Sequence, residues 1–365
     1  MQIHRPEVYA RKVNELMNKI AARRNEISKV ADKAKKNQSK GATKMQKYFT
    51  SKIGAGIMYG GIDIGGTSIK YGITDNSGNI AAAAQISTNA TDGADALIAK
   101  ITAIAQELAQ KCISIGLGFP AVVFDDCVHY PPNLPGWGIV PLADITRRAC
   151  GKPTALINDA NAAALAESAF GAGKDIDDFL FVTLGTGIGG GIILNKKIFI
   201  GGKGGAGEIG HIIVDINDES AKNEAAFKVG TLEKFAGRAG IIASARKIAL
   251  NYPNSALHNY GDNLDVEHIS ASAEEGDFAA QKCLERTGEI LGLGIVGALA
   301  ILDLRIVVVG GGVSQSRHLL DALGKTLQHR ALPTIAAETE VRKARFAKHA
   351  GIIGAALAGK AAAQV

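Results

Sequence analysis

Asp63 stands two residues before a pair of glycines in YGGIDIGGTSIKYGITD (59–75), a stretch that otherwise reads as β-strand. Glycine weakens a strand, so the pair indicates a tight turn with a function. Such a turn exposes backbone N–H groups on a surface without side chains, where phosphate oxygens can approach closely. Thr67 adds a hydroxyl donor and Lys70 a cation. Asp63 would repel phosphate itself, but it suits the water shell of a magnesium ion that bridges phosphates.

A second strand–turn–strand unit, FLFVTLGTGIGGGIILNKKIFIG (179–201), repeats this form about 120 residues later. The repetition predicts a duplicated architecture with two similar halves. Neither turn is a P-loop, because the Gly-Lys-Ser/Thr ending is missing, and neither opens the helix that a dinucleotide fingerprint requires. A later strand, RIVVVGGGVS, ends in three glycines. The predicted phosphate-binding residues are Asp63, Gly65, Gly66, Thr67, Lys70, Gly185, Thr186, Gly187, Gly189, Gly311 and Gly312.

Strands and helices alternate from Ile57 onwards, as in an α/β protein. Three short strands come first, then an amphipathic helix over 93–110 and the buried strand ISIGLGF. The stretch FDDCVHYPPNLPGWGIVP reads as irregular. Further helices are predicted over 160–171, 231–250, 274–302 and 342–360. The 365 residues, 47% of them hydrophobic, suffice for two well-packed domains.

The charge is concentrated in the N-terminal segment. Residues 1–52 carry a net charge of +10 and the remainder −4, so the sequence pI of about 9.0 describes the segment and not the body. It is no argument for a nucleic-acid enzyme. The segment predicts a basic helix that is solvated or docks on the body or a partner subunit, and its four acidic residues disfavour a transit peptide. Its apolar stripe is Val13, Met17, Ile20, Ile27 and Ala31.

The four cysteines lie far apart in the sequence, which indicates neither a disulfide framework nor a zinc module. Reduced thiols in the cytoplasm are the simpler interpretation. No apolar run is long enough to span a bilayer, and no secretory signal is evident. We therefore expect a cytoplasmic protein without a membrane partner.

Eight motifs in a fixed order resemble the ROK family of sugar kinases and sugar-responsive repressors. They are DIGGTSIK, GLGFPAVV, PPNLPGW, INDANAAALAE, VTLGTGIGGG, GEIGH, GTLEKFAG and VVVGGGVS, and they cover about residues 57–360. The resemblance implies the two-domain actin/hexokinase-type ATPase fold, with duplicated ribonuclease-H-like halves and a cleft. It implies a small N-terminal domain (57–158, completed by a C-terminal helix at 345–365) and a large C-terminal domain (159–344), which follow the basic helical extension (1–56).

Asp159, at the end of the strand PTALIND, falls on the position of the family's catalytic aspartate. A sugar hydroxyl is a poor nucleophile until a carboxylate takes its proton, and Asp159 suits that role as general base. The alternative is a structural one, since aspartate often caps the N-terminus of a helix. Asn158 would hold a neighbouring hydroxyl.

The resemblance also assigns sugar contacts to Asn133, Glu208, His211 and Glu233. A site that bonds each hydroxyl rejects sugars that lack one. Trp137, the single tryptophan, is interpreted as a core residue and not as a sugar-stacking one. The region after His211, IIVDINDESAKNEAAFKVGTLE, departs from the family pattern because it has none of the cysteines that bind a structural zinc in most members. His211 alone cannot supply the four ligands of such a site, so we predict no zinc and a loop ordered by packing alone.

The favoured function is a hexose kinase that uses ATP and Mg²⁺, and the sugar expected first is glucose. The transferred phosphoryl group is expected between the two turns, and domain closure would exclude water. Alternatives are a polyphosphate-dependent glucokinase, an N-acetylhexosamine or fructose kinase, and a sugar-sensing repressor. The extension lacks the second helix and wing of a DNA-binding domain, so nucleic acid is not expected as a partner. We also expect a homodimer.

Overall fold

The computed structural model describes residues 56–131, 134, 136–218, 225–346 and 348–364. The helix predicted in the extension lies outside these residues. The chain divides into two compact units, of which the first runs to Ala162 and resumes at Gly351, and the second is Ala163–Ala350. Among the helices within the described ranges, none is both long and apolar enough to cross a bilayer.

The first unit is built on a five-stranded sheet in the order β3-β2-β1-β4-β8. β1 pairs antiparallel with β2 and β2 with β3, whereas β1 pairs parallel with β4 and β4 with β8. This confirms the predicted opening strands. The strands of the unit are β1 (Tyr59–Ile64), β2 (Ser68–Thr74), β3 (Ile80–Ser87), β4 (Ser114–Phe119), β5 (Val122–Phe124), β6 (Cys127–His129), β7 (Ile139–Val140) and β8 (Thr154–Asn158).

Strands β5, β6 and β7 form a separate three-stranded sheet in a stretch that was predicted to be irregular. That prediction is wrong. Asp125 and Asp126, between β5 and β6, both have positive φ, at 52° and 57°. Two successive residues of this conformation make the tight turn that suits a hairpin, because its twist matches that of the strands. Aspartate tolerates the left-handed region better than most residues do.

Helices α1 (Ala94–Leu108), α2 (Leu142–Cys150) and α3 (Asp159–Phe170) follow in the chain. The predicted helix over 93–110 is thus confirmed, and its apolar face is buried in the core of the first unit. Helix α3 begins in the first unit and ends in the second.

The second unit repeats the plan of the first. Its five-stranded sheet has the order β11-β10-β9-β12-β13, again with an antiparallel hairpin followed by parallel strands. The predicted duplication is therefore confirmed. The strands are β9 (Phe179–Leu184), β10 (Ile188–Leu194), β11 (Lys197–Phe199), β12 (Ile306–Gly311) and β13 (Glu340–Lys343).

The helices of the second unit pack on this sheet and enclose a large apolar core. The helix predicted over 231–250 is broken at Gly237 into two, and the predicted helix over 274–302 begins later than expected. The helices are α4 (Leu232–Ala236), α5 (Arg238–Ala249), α6 (Val266–Glu274), α7 (Phe278–Leu302), α8 (Arg317–Arg330) and α9 (Pro333–Ala336).

The last helix, α10 (Ala350–Ala362), belongs to the first unit. The predicted start of a helix at 342 or 345 is wrong, because Glu340–Lys343 pairs with β12 as strand β13. Helix α10 lies on glycines of β1 and β4. A Cβ atom on Gly61 would be 2.0 Å from the carbonyl oxygen of Ile352, and one on Gly116 would be 1.6 Å from that of Ala355. The helix backbone thus touches the sheet backbone.

Candidate active site

The first turn, Gly65–Thr67, joins β1 to β2. It is closed by the N–H of Gly65, which donates to Ser68 at 2.9 Å. Thr88 anchors it from the end of β3, because its hydroxyl donates to the carbonyl of Gly65 at 2.6 Å. Gly66 and Thr67 are exposed, and a Cβ atom on Gly66 would meet nothing within 4 Å. The turn therefore combines a fixed backbone with a bare surface, which is what phosphate oxygens require.

Asp63 lies in β1 directly opposite Lys70 in β2. Burial raises the pKa of the Asp63 carboxyl above its ordinary value, and the charge of Lys70 opposes this only in part. The first turn of α10 lies against the same carboxyl group, because a Cβ atom on Gly351 would be 2.4 Å from Asp63 Cγ. A desolvated carboxylate with incomplete charge compensation fits a cation, so this donor suits the predicted magnesium ion and its water shell.

Asn158 and Asp159 lie at the junction of β8 and α3. Asn158 Oδ1 accepts the N–H of Asn161 at 3.0 Å, so Asn158 is the N-cap residue of the helix. Its Nδ2 donates to the carbonyl of Ala121 at 3.2 Å. Asp159 Oδ1 accepts the N–H of Ala160 at 2.8 Å. Asn158, and not Asp159, therefore occupies the N-cap position of α3.

Asp63 and Asp159 lie at the same edge of the first sheet. In the parallel register Asp63 is level with Gly118 of β4, and Gly118 is level with Ile157 of β8. Asp159 follows two residues later. A Cβ atom on Gly118 would lie 3.8 Å from the Cα atom of Asp159. Asp63 and Asp159 thus flank Gly118 at this edge, Asp63 from β1 and Asp159 from the start of α3.

The second turn, Gly185–Gly187, joins β9 to β10 in the second unit. The N–H of Gly185 donates to the carbonyl of Gly187 at 2.9 Å, and Gly185 and Thr186 are exposed. The end of β12 lies beside it, where Gly311 adopts a positive φ of 93°. The second turn thus resembles the first in its bare tip and fixed ends.

Glu208, His211 and Glu233 come together near the start of β10. Desolvation raises the pKa of Glu208 above its ordinary value although part of its side chain reaches solvent; His211 opposes this and Glu233 adds to it. Glu233 Oε2 accepts the N–H of Ile188 at 2.9 Å. The structure therefore brings together three of the four residues assigned to sugar contacts. Asn133 lies outside the described residues.

The loop after His211 is held by hydrogen bonds and an ion pair, so the prediction of order by packing alone is wrong. Asp218 Oδ2 accepts the N–H of Gly230 at 2.7 Å and pairs with Lys234 Nζ at 2.6 Å. The Asp218 side chain is only 10% exposed, and that of Lys234 22%. Val214 also donates its N–H to Gly230 at 2.8 Å. We call the Asp218–Lys234 pair the loop clip.

The described residues contain no group of three or more His, Cys, Asp or Glu side chains placed to hold a metal ion. Trp137 is confirmed as a core residue, since it is 9% exposed and its ring centroid lies 4.9 Å from that of Phe119.

Glu167 was missed by the sequence analysis. It is fully buried in α3, and its carboxylate accepts three backbone N–H groups, from Ala172, Arg345 and Phe346, at 2.7, 3.1 and 2.8 Å. It ties α3 to the segment that leads into α10. The signal was its place in the INDANAAALAE motif, two helical turns after Asp159.

Comparison with known proteins agrees with this fold. The ROK family model matches residues 59–361, and the chain belongs to the ROK family. Curated relatives include the glucokinases of Halalkalibacterium halodurans, 34% identical over 81% of this chain and 93% of that protein, and of Thermotoga maritima, 30% identical over 81% and 95%. A crystal structure of a ROK family glucokinase from Streptomyces griseus, in complex with glucose and AMPPNP, is 30% identical with a TM-score of 0.72 and covers 83% of this chain and 99% of that chain.

The architecture is the actin/hexokinase-type fold of the ROK sugar kinases. Relatives with other activities match this chain at similar sequence identity. An N-acetylmannosamine kinase of Salmonella typhi is 29% identical over 81% of this chain and 96% of that protein. A putative xylose repressor of Caldicellulosiruptor is 28% identical over 80% of this chain and 76% of that protein.

Proposed function

We propose that the chain transfers the terminal phosphoryl group of Mg-ATP to the 6-hydroxyl of a hexose, with glucose as the expected acceptor. The chain is a hexose kinase, because glucokinases at 30–34% identity match it over most of its length. The observation that carries the proposal is the carboxylate of Asp159 at the strand edge, next to an asparagine that already caps the helix.

Asp159 acts in this proposal as the general base, which takes the proton of the attacking hydroxyl. Asp63 holds the magnesium ion through its water shell, and Mg²⁺ would supply positive charge to the phosphates when bound. The backbone and hydroxyl groups of the two turns, with Thr67 and Thr186, hold phosphate oxygens. Catalysis then consists mainly of positioning and electrostatic stabilisation, as is general for phosphoryl transfer.

Glu208, His211 and Glu233, together with Asn133, hold the sugar hydroxyls. Two carboxylates and an imidazole offer both acceptors and a donor to a polyol. Desolvation, with the nearby charge of Glu233, raises the pKa of Glu208, and this favours an arrangement in which hydroxyl groups donate to these carboxylates. Asn158 already bonds Ala121 through Nδ2 and Asn161 through Oδ1. It would contact a neighbouring hydroxyl with the second N–H of Nδ2 or the second lone pair of Oδ1.

A screen of purified protein against hexoses, each with ATP and with polyphosphate, tests the proposal. We expect glucose with ATP and Mg²⁺ to give the highest kcat/KM. A higher kcat/KM with N-acetylmannosamine, another N-acetylhexosamine or fructose would make that sugar the acceptor in place of glucose. A higher kcat/KM with polyphosphate would make it the donor in place of ATP. Absence of phosphoryl transfer to every sugar would overturn the kinase function.

A sugar-sensing repressor is the alternative from a different class, and the putative xylose repressor among the relatives favours testing it. Electrophoretic mobility shifts with genomic fragments, with and without sugar, separate it from a kinase. We expect no specific shift. We also propose a homodimer, which light scattering after size-exclusion chromatography measures directly.

A further inference from the structure

Glu233 touches the second turn directly. Its Oε2 atom accepts the N–H of Ile188, the residue that follows the turn, at 2.9 Å. A Cβ atom on Gly187 would lie 2.1 Å from the same Oε2 atom. The carboxylate therefore lies against the backbone of the turn, and only glycine at position 187 leaves room for it.

The opposite end of the turn is fixed by β12. Gly311 is level with Leu184 in the parallel register, and a Cβ atom on Gly311 would lie 2.0 Å from the carbonyl oxygen of Leu184. Leu184 and Ile188 are buried, at 1% and 5% exposure, whereas Thr186 between them is exposed. The turn thus has two buried ends, and the side chain of Glu233 holds the end that leads into β10.

The same carboxylate belongs to the sugar group. Gly210, between Glu208 and His211, packs on both partners of the contact, since its Cβ atom would lie 2.5 Å from the carbonyl oxygen of Ile188 and 3.4 Å from Glu233 Cβ. The charge of Glu233 also acts on Glu208. A ligand that changes the position or hydrogen bonding of Glu233 therefore acts on the backbone of the second turn.

We propose that Glu233 is a positioning residue for the phosphoryl donor as well as a sugar contact, so that sugar and nucleotide change each other's affinity through its carboxylate. This inference rests on the proposed function. Such coupling is reciprocal by thermodynamic necessity, so it can be measured from either ligand.

The test is isothermal titration calorimetry of AMPPNP with Mg²⁺, with and without saturating glucose, on the full chain and on Glu233→Ala, Glu233→Gln and Glu208→Ala. Glu233→Ala should bind AMPPNP about ten-fold more weakly than wild type even without glucose, because it loses a hydrogen bond to a charged group. The effect of glucose on AMPPNP binding should disappear. Glu233→Gln keeps an acceptor oxygen for Ile188, so it should recover most of the AMPPNP affinity.

Glu208→Ala is the matched control, because Glu208 belongs to the sugar group but, within the part of the chain that the structure describes, its side chain makes no hydrogen bond to the turn. It should lose glucose affinity and keep its AMPPNP affinity within about two-fold in the absence of sugar. Steady-state kinetics of Gly187→Ala add a variant on the turn side of the contact. Its added Cβ displaces Glu233, so the KM for glucose should rise about ten-fold.

An AMPPNP affinity of Glu233→Ala equal to that of wild type, measured without sugar, would overturn the inference and leave the kinase function standing. A wild-type protein that neither binds AMPPNP nor phosphorylates glucose would overturn the proposed function first. If Glu233→Ala fails to fold, the Gly187→Ala kinetics decide: an unchanged KM for glucose overturns the coupling.

Discussion

Asn158 caps helix α3 by accepting the N–H of Asn161 at 3.0 Å. The adjacent Asp159 accepts the N–H of Ala160 at 2.8 Å, but the N-cap position, which aspartate often fills, belongs to Asn158. The proposed roles of these two neighbouring residues, a helix cap for Asn158 and a general base for Asp159, can be measured separately.

Asp159→Asn should lower kcat by about 10²–10⁴-fold, because it removes the base and keeps the shape of the side chain. The melting temperature and glucose binding should change little. Asn158→Ala should instead cost about 1 kcal/mol of folding stability through loss of the cap. A coupled kinase assay and thermal unfolding of both variants measure this. An Asp159→Asn variant that keeps more than about a tenth of the wild-type rate would exclude the base.

Asp63→Asn should abolish activity and raise the stability of the metal-free protein at neutral pH. A folded-state pKa above the ordinary value of 3.8 means that ionisation of Asp63 destabilises the fold. This cost is absent below the ordinary pKa, develops as the pH rises from the ordinary pKa to the raised one, and is fully present above it. Denaturant unfolding in a chelator-containing buffer, at acidic and neutral pH, measures the difference between variant and wild type. A difference that grows as the pH falls has the wrong sign for this account.

Gly351→Ala should lower kcat by about 10²-fold, because the added Cβ atom would lie 2.4 Å from Asp63 Cγ and the carboxyl group must move. Gly324→Ala is the control in helix α8, where an added Cβ atom meets nothing within 4 Å. It should keep activity and gain about 0.5–1 kcal/mol of stability. Equal kinetics for the two variants would show that the contact with Asp63 has no role in catalysis.

Lys234→Met should lower stability by about 1–3 kcal/mol and raise the KM for glucose, because it removes the ammonium group that pairs with Asp218 in the loop clip. Lys282→Met breaks a pair of similar length, 2.7 Å, whose side chains are 46% and 38% exposed. That exposed pair should contribute much less to stability, because water screens it. Chemical denaturation and glucose kinetics of both variants test whether the buried clip contributes more to stability and to glucose binding than the exposed pair does.

Protein purified without added metal should contain far less than one zinc per chain. The loop after His211 has no cysteine, and Asp218 already accepts the N–H of Gly230, where the loop returns. Elemental analysis before and after dialysis measures the content. Stoichiometric zinc that survives dialysis would mean that the loop is ordered differently.

Local patterns predicted the parts of the site that local chemistry determines. The glycine turns and Asp159 at a strand end follow from strand periodicity and from the glycine pairs. The contact of Glu233 with Ile188 joins residues 45 positions apart, and the clip joins residues 16 positions apart. Local residue spacing therefore predicts neither contact. The hairpin at Asp125 was missed because two aspartates read as loop until their φ values are known.

Helix α10 lies directly on the backbone of β1 and β4, through Gly61 and Gly116, although it is the last helix of the chain. During translation the first sheet therefore leaves the ribosome with one face uncovered, and it stays so while the whole of Ala163–Ala350 is synthesised. The second unit can finish folding before the first. A premature stop that removes only α10 would thus release a chain in which this face of the first sheet stays uncovered.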